Sequence, residues 1–183
     1  MFKKVCIIGC GLIGSSLARA IKKHNLSEKI VSSNRSNIVN KKVLDLKIVD
    51  DSSSDTQKMV NDSDLIIIAT PLSSYENVIL KIKNSLKNGM ILTDVGSVKE
   101  RVISLVEKAI PKDVSWIPSH PIAGTEESGP EAGFSELFKN RWCILTPSKK
   151  AKEKDINTLK LFWKKIGSKV DIMDAKQHDY ILS

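Results

Sequence analysis

KVCIIGCGLIGSSLARAIKKHN, residues 4–25, is the stretch of the chain that decides its fold. Its first part, 4–9, is a short apolar run typical of a buried β-strand. Its last part, 11–25, spaces apolar residues at helical intervals and predicts a helix with one buried face. The pattern GxGxxG, residues 9–14, joins the two parts, and in a strand–turn–helix context it predicts a dinucleotide-binding fold.

The glycine pattern assigns a separate task to each of its three glycines. Gly9 permits a tight turn, Gly11 lets the backbone approach a pyrophosphate, and Gly14 lets the helix pack closely on the strand. The N–H groups at the start of the helix, at Leu12 and Ile13, would bind the phosphates. The alternative is a glycine turn with a structural role only, and the strand–helix context favours the dinucleotide site.

The rest of the chain alternates strand-like and helix-like segments. Such alternation is typical of an α/β fold with a doubly wound, Rossmann-type, mostly parallel sheet. We expect residues 1–173 to form one dinucleotide-binding domain. The predicted strands are 29–33, 47–49, 64–70, 89–96, 114–118, 141–147 and 168–173; the predicted helices are 37–46, 73–86, 97–109 and 151–166; and 119–140 is predicted to be a loop.

Composition excludes several classes of function. The chain has 183 residues, 41% of them hydrophobic and 27% charged, and no apolar run approaches the length of a bilayer-spanning helix. The net charge of +8 comes from scattered lysines and only 5% of residues are aromatic, so we expect a solvated basic surface and no nucleic-acid partner. Three cysteines (Cys6, Cys10 and Cys143) without an export signal or a CxxC pair favour the cytoplasm, with no disulfide framework and no metal site.

The choice of nucleotide depends on the residues after the second strand. An NAD site usually has an acidic residue there, but this chain has Asn34, Arg35 and Ser36. Asn34 does not repel a 2′-phosphate, Arg35 can pair with it, and Ser36 can donate a hydrogen bond to it. The sequence therefore predicts NADP, with NAD possible if Arg35 is a solvated residue stacked on adenine.

Other candidate ligands follow two later strands of the predicted sheet. Thr70 and Pro71 end one strand and Asp94 and Gly96 end the next, so all four are expected beside the cofactor crevice. Pro71 could equally begin the following helix. Ser97 has two interpretations of equal weight: a capping box with Glu100, or a residue at the substrate.

The segment SHPIAGTEESG, residues 119–129, fits neither the period of a helix nor that of a strand. His120 follows an apolar strand, and the small residues after Pro121 would hold the loop close to a ligand. A neutral imidazole there could accept a proton from a substrate hydroxyl as hydride leaves the same carbon. A structural histidine is the alternative, and Glu126 and Glu127 could cap, gate or repel.

Five segments together resemble one enzyme family. GCGLIGSSLARA (9–20), IIIATP (66–71), TDVGSVK (93–99), SHPIAGTEESGPEAGF (119–134) and WCILTP (142–147) are similar in order and spacing to the prephenate/arogenate dehydrogenases of tyrosine biosynthesis. The resemblance implies NAD(P)-dependent oxidative decarboxylation of a cyclohexadienyl substrate, either prephenate or arogenate. It also implies that the chain is the nucleotide-binding part of such an enzyme.

The resemblance also implies roles for individual residues. His120 would be the catalytic group that hydrogen-bonds the ring hydroxyl, and Ser97 would support that hydrogen bond. Glu126 would lie at the substrate entrance, and Thr125 beside it is expected at the substrate. His178 and Asp179 resemble a His-Asp pair at the start of the family's second domain, and the sequence assigns them no role.

Family members continue into a helical domain that forms a homodimer and supplies an arginine for the substrate carboxylate. Residues 174–183 are interpreted as the truncated start of that domain, with Asp174 and Gln177 in capping-box positions. We expect Tyr180, Ile181 and Leu182 to be poorly packed, and the 183-residue chain alone to be weak or inactive. The alternatives are a cofactor-binding or regulatory module without catalysis, or another NADP-dependent hydroxyacid-type dehydrogenase.

Overall fold

A six-stranded parallel sheet forms the centre of the computed structural model, which describes residues 1–182. Its strands are β1 (Phe2–Ile8), β2 (Ser27–Ser33), β3 (Asp51–Ser53), β4 (Leu65–Ile68), β5 (Ile91–Asp94) and β6 (Ser115–Trp116). They lie in the order β3-β2-β1-β4-β5-β6. This order reverses direction between β1 and β4, as in a doubly wound dinucleotide-binding fold, and the predicted fold class is confirmed.

Seven helices accompany the strands within the described residues. They are α1 (Leu12–Lys23), α2 (Asn37–Asp45), α3 (Thr56–Val60), α4 (Tyr75–Ile82), α5 (Glu100–Glu107), α6 (Glu153–Lys165) and α7 (Ala175–Leu182). None of the helices in this part of the chain is long and apolar enough to cross a bilayer.

The sheet is buried on both faces, as a parallel sheet requires. Strand β4 shows this directly, because its side chains alternate between two apolar clusters. Leu65 and Ile67 pack with α1 and α6, whereas Ile66 and Ile68 pack with α4 and α5. This continuous apolar run is the feature from which the sequence predicted a central strand.

A second sheet of three strands lies beyond β6. Its strands are β7 (Ser119–Pro121), β8 (Trp142–Leu145) and β9 (Lys169–Ile172). Strand β7 runs antiparallel to β8, with His120 opposite Ile144. The prediction of an irregular loop over 119–140 is therefore wrong at its start, because backbone pairing with β8 makes the first three residues a strand.

Two further elements differ from the prediction. The third strand is Asp51–Ser53 and not 47–49, because Lys47 adopts a positive φ of 54° and Ile48 N–H bonds back to Val43, so these residues end α2. Helix α3 was not predicted. The Asp55 side chain begins it by accepting the Lys58 N–H at 3.1 Å.

The last helix, α7, begins as the sequence predicted. Asp174 accepts the Gln177 N–H at 2.8 Å. Tyr180 and Ile181 are 87% and 56% exposed, which confirms the expected poor packing of these two side chains. Ser183, included in the predicted segment, lies outside the described residues. The opposite face of α7 buries His178 completely.

Candidate active site

The glycine loop joins β1 to α1 at the carboxyl edge of the sheet. Gly9 has a φ of +94°, and an added Cβ would lie 2.9 Å from the Ala69 carbonyl oxygen. A Cβ on Gly14 would lie 2.0 Å from the Gly9 carbonyl oxygen. By contrast, nothing lies within 4 Å of the Cβ position of Gly11. Two glycines are therefore needed to pack the loop, and the third faces open space.

The open space beside Gly11 is suited to a pyrophosphate. Gly11 is the N-cap of α1, and no side chain caps the helix there, so the N–H groups of its first turn, including those of Leu12 and Ile13, face outward without a capping partner. The Thr70 hydroxyl, which follows β4, is buried without a hydrogen-bond partner among the described residues. Free donors, an unpaired hydroxyl and room for backbone approach fit a dinucleotide. Pro71 is exposed and precedes the 3-10 turn Leu72–Ser74.

The three predicted ribose residues divide into two kinds. Asn34 is buried and its Oδ1 accepts the Cys10 N–H at 2.6 Å, while its Nδ2 donates to Asn40 Oδ1 at 3.0 Å. Its side chain thus supports the glycine loop. Arg35 and Ser36 are exposed at the carboxyl end of β2. Both side chains are accessible to a ligand, and their contact with a 2′-phosphate stays a prediction.

Asp94, predicted as a cofactor ligand, is instead a buried structural carboxylate. It is inaccessible to solvent and accepts hydrogen bonds from the Tyr75 hydroxyl at 2.9 Å and from the N–H groups of Gly96 and Ser119 at 3.0 Å each. Gly96 is small because a Cβ would lie 2.9 Å from the Tyr75 hydroxyl. The Asp94 side chain therefore serves packing at the end of β5, and its predicted role as a cofactor ligand is corrected. The cofactor contact predicted for Gly96 stays a prediction.

Asp94, Tyr75, Ser119 and Lys99 form one buried cluster at the end of β5. The role of Lys99 in it was not predicted. Its Nζ donates to Asp94 Oδ1 at 2.8 Å, to Asp94 Oδ2 at 2.7 Å and to the Ser119 carbonyl oxygen at 2.9 Å. These three acceptors satisfy the three donors of an ammonium group. Burial lowers the pKa of Lys99, and the Asp94 carboxylate opposes that shift.

The cluster fixes the position of His120. Its neighbour Ser119 is bonded to Asp94 and Lys99, and the Ser119 hydroxyl donates to the Asp94 carbonyl oxygen at 2.5 Å. On the other side, β7 pairs with β8. His120 is thus held beside the carboxyl end of β5, the edge at which doubly wound sheets bind their ligands.

The His120 ring contacts His178 of α7. His120 Nδ1 lies 2.9 Å from His178 Nε2, and His178 Nδ1 lies 2.7 Å from Asp179 Oδ1. Burial, together with electrostatic interactions with His178 and Lys99, lowers the pKa of His120 to about 4, and the interaction with Asp179 opposes this. His120 is therefore neutral at pH 7, as a proton acceptor must be.

Ser97 does not cap α5. The helix begins at Glu100, and the Asp179 carboxylate accepts the N–H groups of Lys99 and Glu100 at 2.9 Å each. The predicted capping box is wrong because a carboxylate from a distant helix already binds these donors. Ser97 is exposed, and no hydrogen bond joins it to His120 among residues 1–182. Its role at the substrate stays a prediction.

The loop after β7 is anchored at its far end and free in the middle. Arg19 of α1 donates to the Pro130 carbonyl oxygen at 2.9 Å, and Ser16 accepts the Phe134 N–H at 3.1 Å. Between these anchors, residues 124–128 are exposed, including Thr125 and Glu126. Both side chains are accessible to a ligand, and their predicted substrate contacts remain to be tested.

The three cysteines are buried and unpaired. Burial raises the pKa of Cys6 to about 12 and that of Cys10 to about 11, and it raises the pKa of Cys143 as well. Cys10 therefore does not present a thiolate to the phosphates at neutral pH. Among residues 1–182, no group of three or more His, Cys, Asp or Glu side chains could hold a metal ion.

A groove of about 380 Å³ lies between α4 and α5. It does not include the glycine loop or His120. Its lining is mainly apolar with one arginine: Leu72, Ser73, Tyr75, Glu76, Val98, Arg101, Val102 and Leu105.

Comparison with known proteins shows the family to which this chain is similar. The family model described as "Prephenate dehydrogenase, nucleotide-binding domain" matches residues 17–172. A cyclohexadienyl dehydrogenase of Zymomonas mobilis is 36% identical over 183 residues, which cover 100% of this chain and 62% of the relative. A prephenate dehydrogenase of Lactococcus lactis is 34% identical over 98% of this chain and 49% of its own length.

A solved structure of the same family is similar in fold. The prephenate dehydrogenase from A. aeolicus, in complex with hydroxyphenyl propionate and NAD+, superposes with a TM-score of 0.91 at 28% identity, covering 99% of this chain and 63% of that one. The chain thus spans between about half and two thirds of the length of these relatives.

Proposed function

The chain belongs to the prephenate dehydrogenase family as its nucleotide-binding domain, and on that premise we propose that it serves the oxidative decarboxylation of prephenate or arogenate in tyrosine biosynthesis. The observation that carries the proposal is His120, a neutral, partly buried imidazole held at the carboxyl end of β5 by Ser119 and its bonds to Asp94 and Lys99. It lies at the edge of the sheet that also carries the glycine loop.

The proposed reaction needs one proton acceptor from this chain. A bound nicotinamide would take the hydride from the carbon that bears the ring hydroxyl. His120 Nε2 would accept the hydroxyl proton, so that the carbon–oxygen bond becomes a carbonyl. The bond to the ring carboxylate then breaks, its electron pair enters the ring and carbon dioxide leaves. Aromatisation of the ring supplies the driving force.

The substrate class is supported by the ligand of the A. aeolicus enzyme. Hydroxyphenyl propionate is a phenol with a carboxylate side chain, which is the kind of product that aromatisation gives. Prephenate and arogenate share the ring hydroxyl that His120 would contact. They differ in the side chain, for which this part of the protein offers the exposed Thr125 and Glu126.

For the cofactor we propose NADP, with NAD as the alternative. Exposed Arg35 and Ser36 at the end of β2 support NADP, whereas the A. aeolicus structure holds NAD+. Homodimer formation by the whole protein, and weak activity of the 183-residue chain alone, stay predictions because the chain spans 62% of its Zymomonas mobilis relative.

An activity assay with two proteins tests the proposal. One is the 183-residue chain, and the other continues it at Ser183 with the remaining part of the Zymomonas mobilis relative. Each is given prephenate or arogenate with NAD+ or NADP+, and both reduced cofactor and carbon dioxide are measured. We expect the longer protein to release the two in equal amounts, and His120→Asn to reduce kcat by about 10² to 10⁴-fold.

The outcome separates the competing functions. His24→Asn, at an exposed histidine, is the matched control and should leave kcat unchanged. Cofactor binding without turnover in the longer protein would favour a regulatory module. Reduced cofactor from a simple hydroxyacid, without carbon dioxide, would favour another dehydrogenase.

A further inference from the structure

A continuous series of hydrogen bonds runs from the start of α5 to the His120 ring. The Asp179 carboxylate accepts the N–H groups of Lys99 and Glu100 at 2.9 Å each. Asp179 Oδ1 lies 2.7 Å from His178 Nδ1, and His178 Nε2 lies 2.9 Å from His120 Nδ1. His178 is inaccessible to solvent, so these two partners take up both of its ring nitrogens.

The start of this series fixes the direction of every later hydrogen bond. Asp179 receives two backbone N–H bonds, which only an acceptor can do. Although burial raises the pKa of Asp179, the N–H of Glu100, the His178 ring and the N–H of Lys99 together lower it. The ionised carboxylate then requires a proton on His178 Nδ1. In a neutral imidazole, His178 Nε2 must therefore be an acceptor.

The same logic passes to the next ring. Because His178 Nε2 accepts, His120 Nδ1 must carry the proton and donate it. The second nitrogen of a neutral His120, Nε2, is left with its lone pair. A reversed series would need a proton on Asp179, which would weaken its bonds to the N–H groups of α5, or a second proton on His178, which would place a positive charge on a ring inaccessible to solvent.

We propose that His178 and Asp179 are positioning residues that hold His120 in the Nδ1–H tautomer, leaving Nε2 unprotonated to accept the proton of a substrate hydroxyl. This inference rests on the proposed function for the identity of the hydroxyl, but the tautomer is a property of the protein alone. Neither residue touches the reacting atoms. They act through His120, as a carboxylate acts through an imidazole in hydrolase triads.

The groups around His120 leave this arrangement undisturbed. Lys99 donates its three protons to Asp94 and Ser119, so it competes with His178 for neither nitrogen of His120. On β8, Ile144 faces His120 in the backbone register and offers no side-chain donor. His178 therefore holds the one hydrogen bond of the His120 ring within residues 1–182.

The test is the protonation pattern of the His120 ring in the 183-residue chain, read by ¹⁵N NMR of labelled imidazole at pH 7. We expect the resonance of an unprotonated nitrogen at Nε2 and of a protonated nitrogen at Nδ1. His178→Phe removes the acceptor and should convert His120 to a mixture of tautomers or to Nε2–H. His178→Gln restores an acceptor and should recover part of the Nδ1–H signal.

Two further variants complete the experiment. Asp179→Asn should also shift the tautomer; if it unfolds α5, His178→Phe decides alone, because that variant keeps the Asp179 bonds to the helix. Tyr180→Ser, at an 87% exposed position on the same helix, is the control and should leave His120 unchanged. An Nε2–H tautomer in the wild-type protein, or an unchanged tautomer in His178→Phe, would overturn the proposal.

Activity separates this inference from the proposed function. In the longer protein, His178→Phe should lower kcat by at least about 10-fold, a part of what a general base contributes, with KM for the cofactor unchanged. An Nδ1–H tautomer in a protein without dehydrogenase activity would refute the function and keep the positioning role. Full activity in His178→Phe, despite a changed tautomer, would refute the positioning role in catalysis.

Discussion

Lys99 Nζ lies 2.8 and 2.7 Å from the two carboxylate oxygens of Asp94, and neither side chain is accessible to solvent. The pair ties the start of α5 to the end of β5. Through the bonds of both residues to Ser119, it also sets the position of His120. The pair is thus a structural element of the site, although neither charge faces its ligand.

Lys99→Met should therefore destabilise the protein strongly. Removing the ammonium leaves a buried carboxylate without its counter-charge, which costs roughly 3–5 kcal/mol of unfolding free energy. Urea denaturation measures this. Lys87→Met is the matched control, because Lys87 pairs with Asp62 at the surface and its loss should cost about 1 kcal/mol or less. Equal costs for the two variants would contradict the structural role of Lys99.

Asp179→Ala should destabilise the protein more than Ser97→Ala, because Asp179 and not Ser97 binds the N–H groups at the start of α5. Ser97 caps nothing, so its loss should change the unfolding free energy by less than about 0.5 kcal/mol. Asp179 caps α5, and its loss should cost about 0.5–2 kcal/mol. Thermal unfolding of the two variants, measured side by side, checks the order. A larger loss for Ser97→Ala would restore the capping box.

The titration of His120 should lie well below that of an ordinary histidine. Burial lowers the pKa to about 4, so the ring should stay neutral from pH 7 to about pH 5. In a ¹H–¹³C NMR titration, its resonances should move only near pH 4, with His120→Asn for assignment. A midpoint near 6.5 would show that the ring is freely solvated.

The same shift predicts how stability depends on pH. Between about pH 6.5 and about 4, the unfolded chain binds a proton at His120 that the folded protein does not bind. His120 therefore contributes a loss of stability as the pH falls through this window. His120→Asn should make the unfolding midpoint less dependent on pH there, and an unchanged dependence would argue against the lowered pKa.

Arg35→Ala should weaken NADP(H) binding with little effect on NAD(H). Arg35 is exposed at the end of β2, where a bidentate contact with a 2′-phosphate is possible. Loss of one charge-assisted contact is worth about 1.5–3 kcal/mol. Calorimetric titration of both cofactors measures it, with exposed Arg141→Ala as the control. If the wild-type chain binds NAD(H) as tightly as NADP(H), the NADP assignment is wrong.

The sequence was most informative where a single segment carries the structural requirement. The central strands are apolar on both faces, and the glycine loop is local, so β1, α1 and β4 were predicted within a few residues. Strand β3 is the polar triplet Asp51–Ser53 at the sheet edge, and its pattern does not differ from that of a turn. Strand β7 is three residues long and depends on its partner β8.

The roles of side chains that depend on partners distant in the sequence could not be predicted from a local pattern. His178 is 58 residues from His120, and only the packing of α7 brings the rings together. Asp94 stands at a strand end where a cofactor ligand is common, yet Lys99 turns back five residues later and takes both its oxygens. A local pattern cannot show that a side chain is already satisfied by another.

Substitutions at Gly11 and Gly14 should separate an effect on cofactor binding from an effect on stability. A Cβ at Gly14 would lie 2.0 Å from the Gly9 carbonyl oxygen, so Gly14→Ala should cost about 1–3 kcal/mol of stability or more. A Cβ at Gly11 meets nothing within 4 Å, and its φ of −76° suits any residue. Gly11→Ala should therefore fold with an unchanged melting temperature.

In Gly11→Ala the added methyl group would occupy the space in which we place the pyrophosphate, so the affinity for both cofactors should fall together. Calorimetry and thermal unfolding on the same samples measure the two effects. Gly89→Ala, which has open space but a φ of +90°, is a control for the cost of backbone strain alone. Unchanged cofactor affinity in Gly11→Ala would mean that the pyrophosphate binds elsewhere, because a methyl group beside a bound pyrophosphate would prevent its close approach to the backbone.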